Sequence, residues 1–111
     1  MTPLHLAVGD NNDQMARLLL EKGADANFPD WRGRTPLHNT NNKEVAMLLL
    51  DKGADVNVTD KDNRTPLHIA VGNNKDQMAR LLLEKGADAD VMDKDGMTPL
   101  HVTVADNNDQ M

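Results

Sequence analysis

Four histidines, at positions 5, 38, 68 and 101, are the side chains best suited to acid–base or metal chemistry in this chain of 111 residues. Imidazole titrates near neutral pH and is the commonest metal ligand, so histidines among many carboxylates would suit a zinc site or a general base. Their spacing argues otherwise. Each closes the same tetrapeptide, Thr-Pro-Leu-His, at 2–5, 35–38, 65–68 and 98–101, with separations of 33, 30 and 33 residues. A fixed period of this size means one supersecondary unit stacked on copies of itself. Stacked helices lie about 8–10 Å apart, whereas each ligand of a zinc ion must come within about 2.1 Å of it. One histidine per unit therefore does not converge on a metal, and neither a metal nor any other cofactor is expected. Serine and cysteine are absent, which removes Ser and Cys nucleophiles. The carboxylates recur at fixed places in the unit, as solvated or capping groups do, and no glycine-rich phosphate loop is present. The chain reads as a non-enzyme.

Bulk properties narrow the class further. The length suits one small domain, and 39% apolar residues can fill a modest core. Phe28 and Trp31 are the only aromatics, so Leu, Val, Met and Ala must do the packing. A net charge of −6 opposes non-specific binding to nucleic acid or anionic membrane. There is no apolar run near 18 residues and no leader-like start, so membrane insertion is not expected. The expectation is an intracellular, cytoplasmic protein, in keeping with zero cysteines.

The elements that hold the histidines follow from the unit 65–97. Thr65 and Pro66 start a helix: the hydroxyl caps exposed N–H groups, and proline lacks a donor that the first turn would leave unused. Leu67, Ala70 and Val71 give that helix one apolar side. Gly72-Asn73-Asn74 breaks it. A second helix is predicted over about 76–85, with Asp76 at its start and Met78, Ala79, Leu81, Leu82 and Leu83 on its buried side. Gly86 is its left-handed stop. Residues 87–97 hold turn formers and no helical period, which predicts a projecting, hairpin-like loop. Such helices fall short of the roughly 12–15 residues at which an isolated helix becomes marginal in water, so stacking must supply the missing cover.

TPLHLA (2–7), TPLHIA (65–70), LLLEKGADAN (18–27), LLLDKGADVN (48–57) and LLLEKGADAD (81–90) together resemble the ankyrin repeat family across essentially the whole chain. The resemblance implies an all-α solenoid of helix-turn-helix units with projecting β-turn loops, in a slightly curved stack. Its concave face would be built by loop tips and first helices. The units run over 2–34, 35–64, 65–97 and a partial 98–111, within a single array 1–111. The family implies a protein-binding module without catalysis, and a histidine that hydrogen-bonds backbone and joins neighbouring loops. Asparagine hydroxylation, a modification of some members, would map to Asn27 and Asn57. Two N-glycosylation patterns, Asn57-Val58-Thr59 and Asn63-Arg64-Thr65, overlap the repeat strings and are read as chance.

The second unit departs from the pattern. His38 stands 15 residues before Gly53, whereas His5 and His68 stand 18 before Gly23 and Gly86. The deficit falls opposite Val71, Gly72 and Asn73, about 4.5 Å of helix. This predicts a truncated first helix and a notch in the concave face, a binding feature or a tolerated accident. Neither end shows a polar capping unit, which suits an excerpt of a longer array and end-to-end self-association through the terminal units.

Positions that vary between similar copies are the candidates for partner contact. At the loop tips these are Trp31, Arg32 and Arg34, then Lys61, Asp62 and Arg64, then Lys94, Asp95 and Met97. Beside the groove lie Gly9, Asp10, Asn73 and Asp106. Trp and Arg are over-represented in interface hot spots; the alternative for Trp31 is packing against Phe28 and Pro29. The partner is expected to be a protein, folded or extended. A second reading makes the array a spacer or targeting segment of a larger enzyme or effector.

Overall fold

Threonine at 2, 35 and 65 begins each first helix in extended conformation, with proline at the next position. The histidine three residues on completes the cap: its Nδ1 accepts the Thr backbone N–H at 3.3, 3.0 and 3.1 Å. Imidazole thus fills the place that Glu or Gln takes in an ordinary capping box. The computed structural model describes residues 2–99 and has six helices there, with no strand. They are α1 (Pro3–Gly9), α2 (Asp13–Glu21), α3 (Pro36–Asn39), α4 (Lys43–Asp51), α5 (Pro66–Gly72) and α6 (Asp76–Glu84).

The helices pack in two rows. One row is α1, α3, α5 and the other α2, α4, α6, and each unit joins the rows through its own helix pair. The molecule is correspondingly long, 46 × 24 × 23 Å. Leu4, Leu37 and Leu67 bury the first row, while Ala16, Leu20, Val45, Ala46, Leu49, Met78, Leu81 and Leu82 bury the second. Alanine at 16 and 46 has no exposed surface, as close helix approach requires.

Two sequence expectations are corrected within these elements. Leu83, assigned to the buried side of α6, is 49% exposed, and Ala79 and Val71 are only half-buried. Leu20, at the equivalent position of α2, is buried, so this position looks toward the following unit rather than back into the stack. The break after α5 is also different in detail. Gly72 keeps a helical backbone, and Asn74 takes the left-handed turn at φ 59°, as Asn11 does at φ 56° after α1. There the Lys75 N–H reaches back to Ala70 C=O at 2.8 Å and closes the helix end. Gly86 has φ 98°, the left-handed stop that its position predicted.

The shortened unit loses its helix where the sequence indicated. Helix α3 has 4 residues against 7 in α1 and α5. The His38 N–H turns to Thr35 C=O at 3.0 Å, a tighter bond than its counterparts make to the threonine hydroxyl. Thr40 then leaves the helix with extended backbone, is buried, and its hydroxyl accepts the Asn42 N–H. Asn42 caps α4 through the N–H groups of Glu44 and Val45 and donates its amide to Asp13 of α2. Above α3 a cleft of about 230 Å³ opens, lined by Leu37, Asn39, Thr40, Asn41, Pro66 and Ile69 among others.

Truncating a side chain tests this arrangement. Leu49→Ala, at a fully buried site in the middle helix of the second row, is expected to lower the unfolding free energy by about 2–5 kcal/mol. Leu83→Ala should cost well under half as much. Urea denaturation of both variants, compared with the parent chain, reads the difference.

Candidate protein-binding face

Each loop tip is a turn built on one aspartate. Asp30 Oδ1 accepts the N–H groups of Arg32 and Arg34 at 2.8 and 3.0 Å. Asp60 does the same for Asp62 and Arg64, and Asp93 for Asp95 and Met97. A main-chain bond across each turn, such as Asp60 N–H to Arg64 C=O at 2.9 Å, makes the loops hairpin-like without a strand. Short polar side chains that satisfy their own backbone in this way fix a turn with no help from a core.

The tips are then tied to one another. Lys61 N–H donates to Arg32 C=O at 3.0 Å, and Lys94 N–H to Asp62 C=O at 2.9 Å. Gly33 permits the first of these: with φ 78°, a Cβ there would lie 3.0 Å from the Lys61 nitrogen. Beneath the tips, the histidines cross the same gap. A main-chain N–H can only donate, so each Nδ1 is the unprotonated acceptor and Nε2 carries the proton. That Nε2–H donates to the next loop: His5 to Arg34 C=O at 3.0 Å, His38 to Arg64 C=O and His68 to Met97 C=O, both at 2.9 Å. The role that the family resemblance implied for this residue is the one found.

Electrostatics reinforce the row. Arg34 Nε pairs with Asp60 Oδ2 at 3.1 Å, Arg64 Nε with Asp93 Oδ2 at 3.4 Å, and Lys94 Nζ with Asp62 Oδ1 at 3.0 Å. Burial pushes the Asp60 carboxyl up, but the Arg64 and Asp62 N–H groups and the Arg34 guanidinium together hold it below the ordinary value. Burial likewise raises Asp30 and Asp93. Their two turn N–H groups and nearby cations prevail, and both lie lower than a free carboxyl. Burial also depresses His38, against the opposing pull of its bond to Arg64 C=O and of nearby Asp60.

The residues assigned to partner contact divide into two groups. Trp31, Arg32, Lys61, Lys94, Asp95, Gly9, Asp10 and Asn73 are exposed. Arg34, Asp62, Arg64 and Met97 are half-buried and take part in the inter-tip bonds just described. Asp106 lies outside the described residues. Trp31 is 74% exposed and Phe28 51%, so neither ring is buried on the other; the Arg32 guanidinium lies 5.4 Å from the Trp31 ring centre. A groove of about 440 Å³ gathers Leu6, Gly9, Asp10, Trp31, Arg32 and Asn39. A second, of about 390 Å³, runs past Arg34, Arg64, Ile69 and Asn73. Among the described residues no three His, Asp or Glu side chains gather as metal ligands, and no helix is long and apolar enough to cross a membrane.

Two features escaped the sequence reading. Leu6, 54% exposed, stands in the groove opposite Trp31. After α2, Asn27 donates to Gly53 C=O at 2.9 Å and accepts the Asp55 N–H at 2.8 Å. Asn57 brackets Gly86 and Asp88 in the same manner, at 3.3 and 2.7 Å. Recurrence of asparagine four residues after a stop glycine was the available signal for a second structural tie.

This geometry, two rows of short helices with hydrogen-bonded loop tips along one edge, defines a repeat solenoid. The family model described as ankyrin repeats (three copies) matches residues 1–60 and 39–111, and the chain belongs to the ankyrin repeat family. It is 57% identical over 37 residues to NF-kappa-B inhibitor alpha of Sus scrofa, a stretch covering 33% of this chain and 12% of that protein. It is 60% identical over 37 residues to neurogenic locus notch homolog protein 4 of Homo sapiens, covering 33% and 2%. A 35-residue stretch is 66% identical to potassium channel AKT3 of Oryza sativa subsp. japonica, covering 32% and 4%. The shared stretches are thus about one repeat long and a small part of each relative.

Acid should loosen the row of tips in two stages. His38 binds its proton less readily folded than unfolded, so stability is complete above about pH 6.5 and falls as pH drops through that value toward the folded one. The lowered aspartates add a further loss below about pH 4. Replacing His38→Gln should cost about 1–3 kcal/mol at pH 7 and flatten the first stage. Thermal melts of both proteins between pH 7 and pH 5 measure it.

Proposed function

We propose that the chain is a protein–protein interaction module whose binding face is the ridge of loop tips and the adjoining sides of α1, α3 and α5. The observation that supports this is the tying of each tip to the next through backbone bonds. That leaves Trp31, Arg32, Lys61, Lys94 and Asp95 as exposed side chains on a ridge already ordered before a partner arrives. Preorganisation of this kind lowers the entropic cost of association. Gly9, Asp10, Asn73 and Met97 complete the face, and Arg34, Asp62 and Arg64 contribute by holding the tips in register. Asp106 belongs to the same proposal by its place in the repeat.

On this reading residues 1–111 form one array of units 2–34, 35–64, 65–97 and part of a fourth, working inside the cell without a cofactor. A relative named as an inhibitor of NF-kappa-B supports recognition of a protein partner. Relatives far longer than the matched stretch, a Notch homologue and a potassium channel, favour a second reading as a spacer or targeting segment of a larger protein. Trp31 separates the two. With a partner in hand, Trp31→Ala should weaken binding by about 2 kcal/mol or more; calorimetry showing unchanged affinity would favour the spacer. End-to-end self-association is proposed through the terminal units, with Met15 and Leu18 exposed on the first of them. A concentration-independent monomer in sedimentation would argue against it.

A further inference from the structure

The occupant of one end of this ridge can be specified by its chemistry. The first two tips hold Arg32 and Lys61 side by side, because Lys61 N–H is bonded to Arg32 C=O and Gly33 packs against the Lys61 backbone. Among the described residues no carboxylate pairs with either cation. The carboxylates nearest in sequence are already engaged: Asp30 and Asp60 with their own turn N–H groups, Asp60 with Arg34, and Asp62 with Lys94. Arg32 also lies over the Trp31 ring, which orients the guanidinium at the rim of an exposed apolar shelf made by Trp31 and Leu6.

The third tip differs. Lys94 is neutralised by Asp62, and Asp95 stands exposed. Counting charged residues, 30–34 carries +1, 60–64 is neutral and 93–97 carries −1. The ridge therefore has a positive, apolar end and a negative end. The chain as a whole is −6, but charges beyond about 8 Å are largely screened at physiological salt, so the local cations govern close contact. Asp10 shares the groove with Trp31 but lies more than one helical turn along α1 from His5, away from the tip.

We propose that the Trp31 end of the ridge receives an acidic segment of a partner protein. A bulky apolar side chain of that segment lies over Trp31 and Leu6, and its flanking carboxylates meet Arg32 and Lys61. The inference rests on the ridge being a binding face. Asp10 and Asp95 repel acidic groups at the far side of the groove and the far end of the ridge, which confines the carboxylates to the first two tips and sets the direction in which the segment lies.

The test uses the full chain, immobilised, and a random-peptide phage library; enriched sequences are then synthesised and titrated with Trp31 fluorescence as the signal. Expected are peptides that place Asp or Glu around a Leu, Phe or Trp, with affinity falling as salt rises. Arg32→Glu combined with Lys61→Glu should weaken them by about tenfold, measured by calorimetry, with circular dichroism to show the fold intact. Peptides enriched without acidic character, or unaffected by the double charge reversal, would overturn the acidic occupant. If such peptides still lose affinity on Trp31→Ala, the binding face stands and only its chemistry was misassigned. Peptides indifferent to all three substitutions, or no enrichment at all, would overturn both.

Discussion

The stack depends on an imidazole used as a bridge. His5, His38 and His68 each take a hydrogen bond at Nδ1 from the threonine that starts their own helix and give one from Nε2 to the last carbonyl of the next loop. One side chain therefore caps a helix and ties it to the loop that leads into the next unit. It can do so only in the neutral state with the proton on Nε2, because a protonated Nδ1 would face a main-chain donor. Burial enforces that state at His38. At His5, His38 and His68 both ring nitrogens are committed to backbone, so in this arrangement none of these three rings has a free lone pair or a free proton.

A second set of ties runs from unit to unit: Asn27 and Asn57 each donate to one carbonyl and accept one N–H of the following unit. A carboxamide suits this place because it offers a donor and an acceptor on one planar group. The third unit has Asp90 there, which keeps the acceptor and lacks the donor. The asparagine bonds tie each unit to the next and the histidine bonds tie each first helix to the loop that leads into the next unit, so a slide or a twist of one unit on the next breaks bonds as well as packing. Short helices that could not persist alone are stable here for that reason.

Much of this was legible in the residues because the determinants are local. Caps, proline starts and the Gly86 stop depend on a few neighbouring side chains, and the structure has them where the repeat placed them. The three-residue deficit was legible too, since helix α4 was intact in sequence and only α3 could lose the turn. What sequence did not disclose was direction. Leu81, Leu82 and Leu83 are equivalent as letters, yet the first two are buried and the third is half exposed, because a helix with neighbours on two sides shows its apolar residues to each in turn. Arg34 and Arg64 looked like partner contacts beside Trp31 and Lys61. Only the distance between adjacent tips, 3.1 and 3.4 Å from guanidinium to carboxylate, shows them occupied within the stack.

The shortened second unit shows how far the ridge is independent of the helices beneath it. Helix α3 lacks a turn, yet His38 reaches Arg64 C=O at 2.9 Å, as close as its counterparts in the full-length units. The bond survives because everything it needs, threonine, proline, histidine and the aspartate-built turn, lies at the tip end of the helix, while the deletion falls at the far end. Thr40 and Asn42 then absorb the gap with their own side chains before α4 begins. Tip register is thus set by the bonds between tips and the first turn of each first-row helix, and not by that helix's length. The shorter α3 opens the cleft above it while the row of tips keeps the same bonds as in the full-length units.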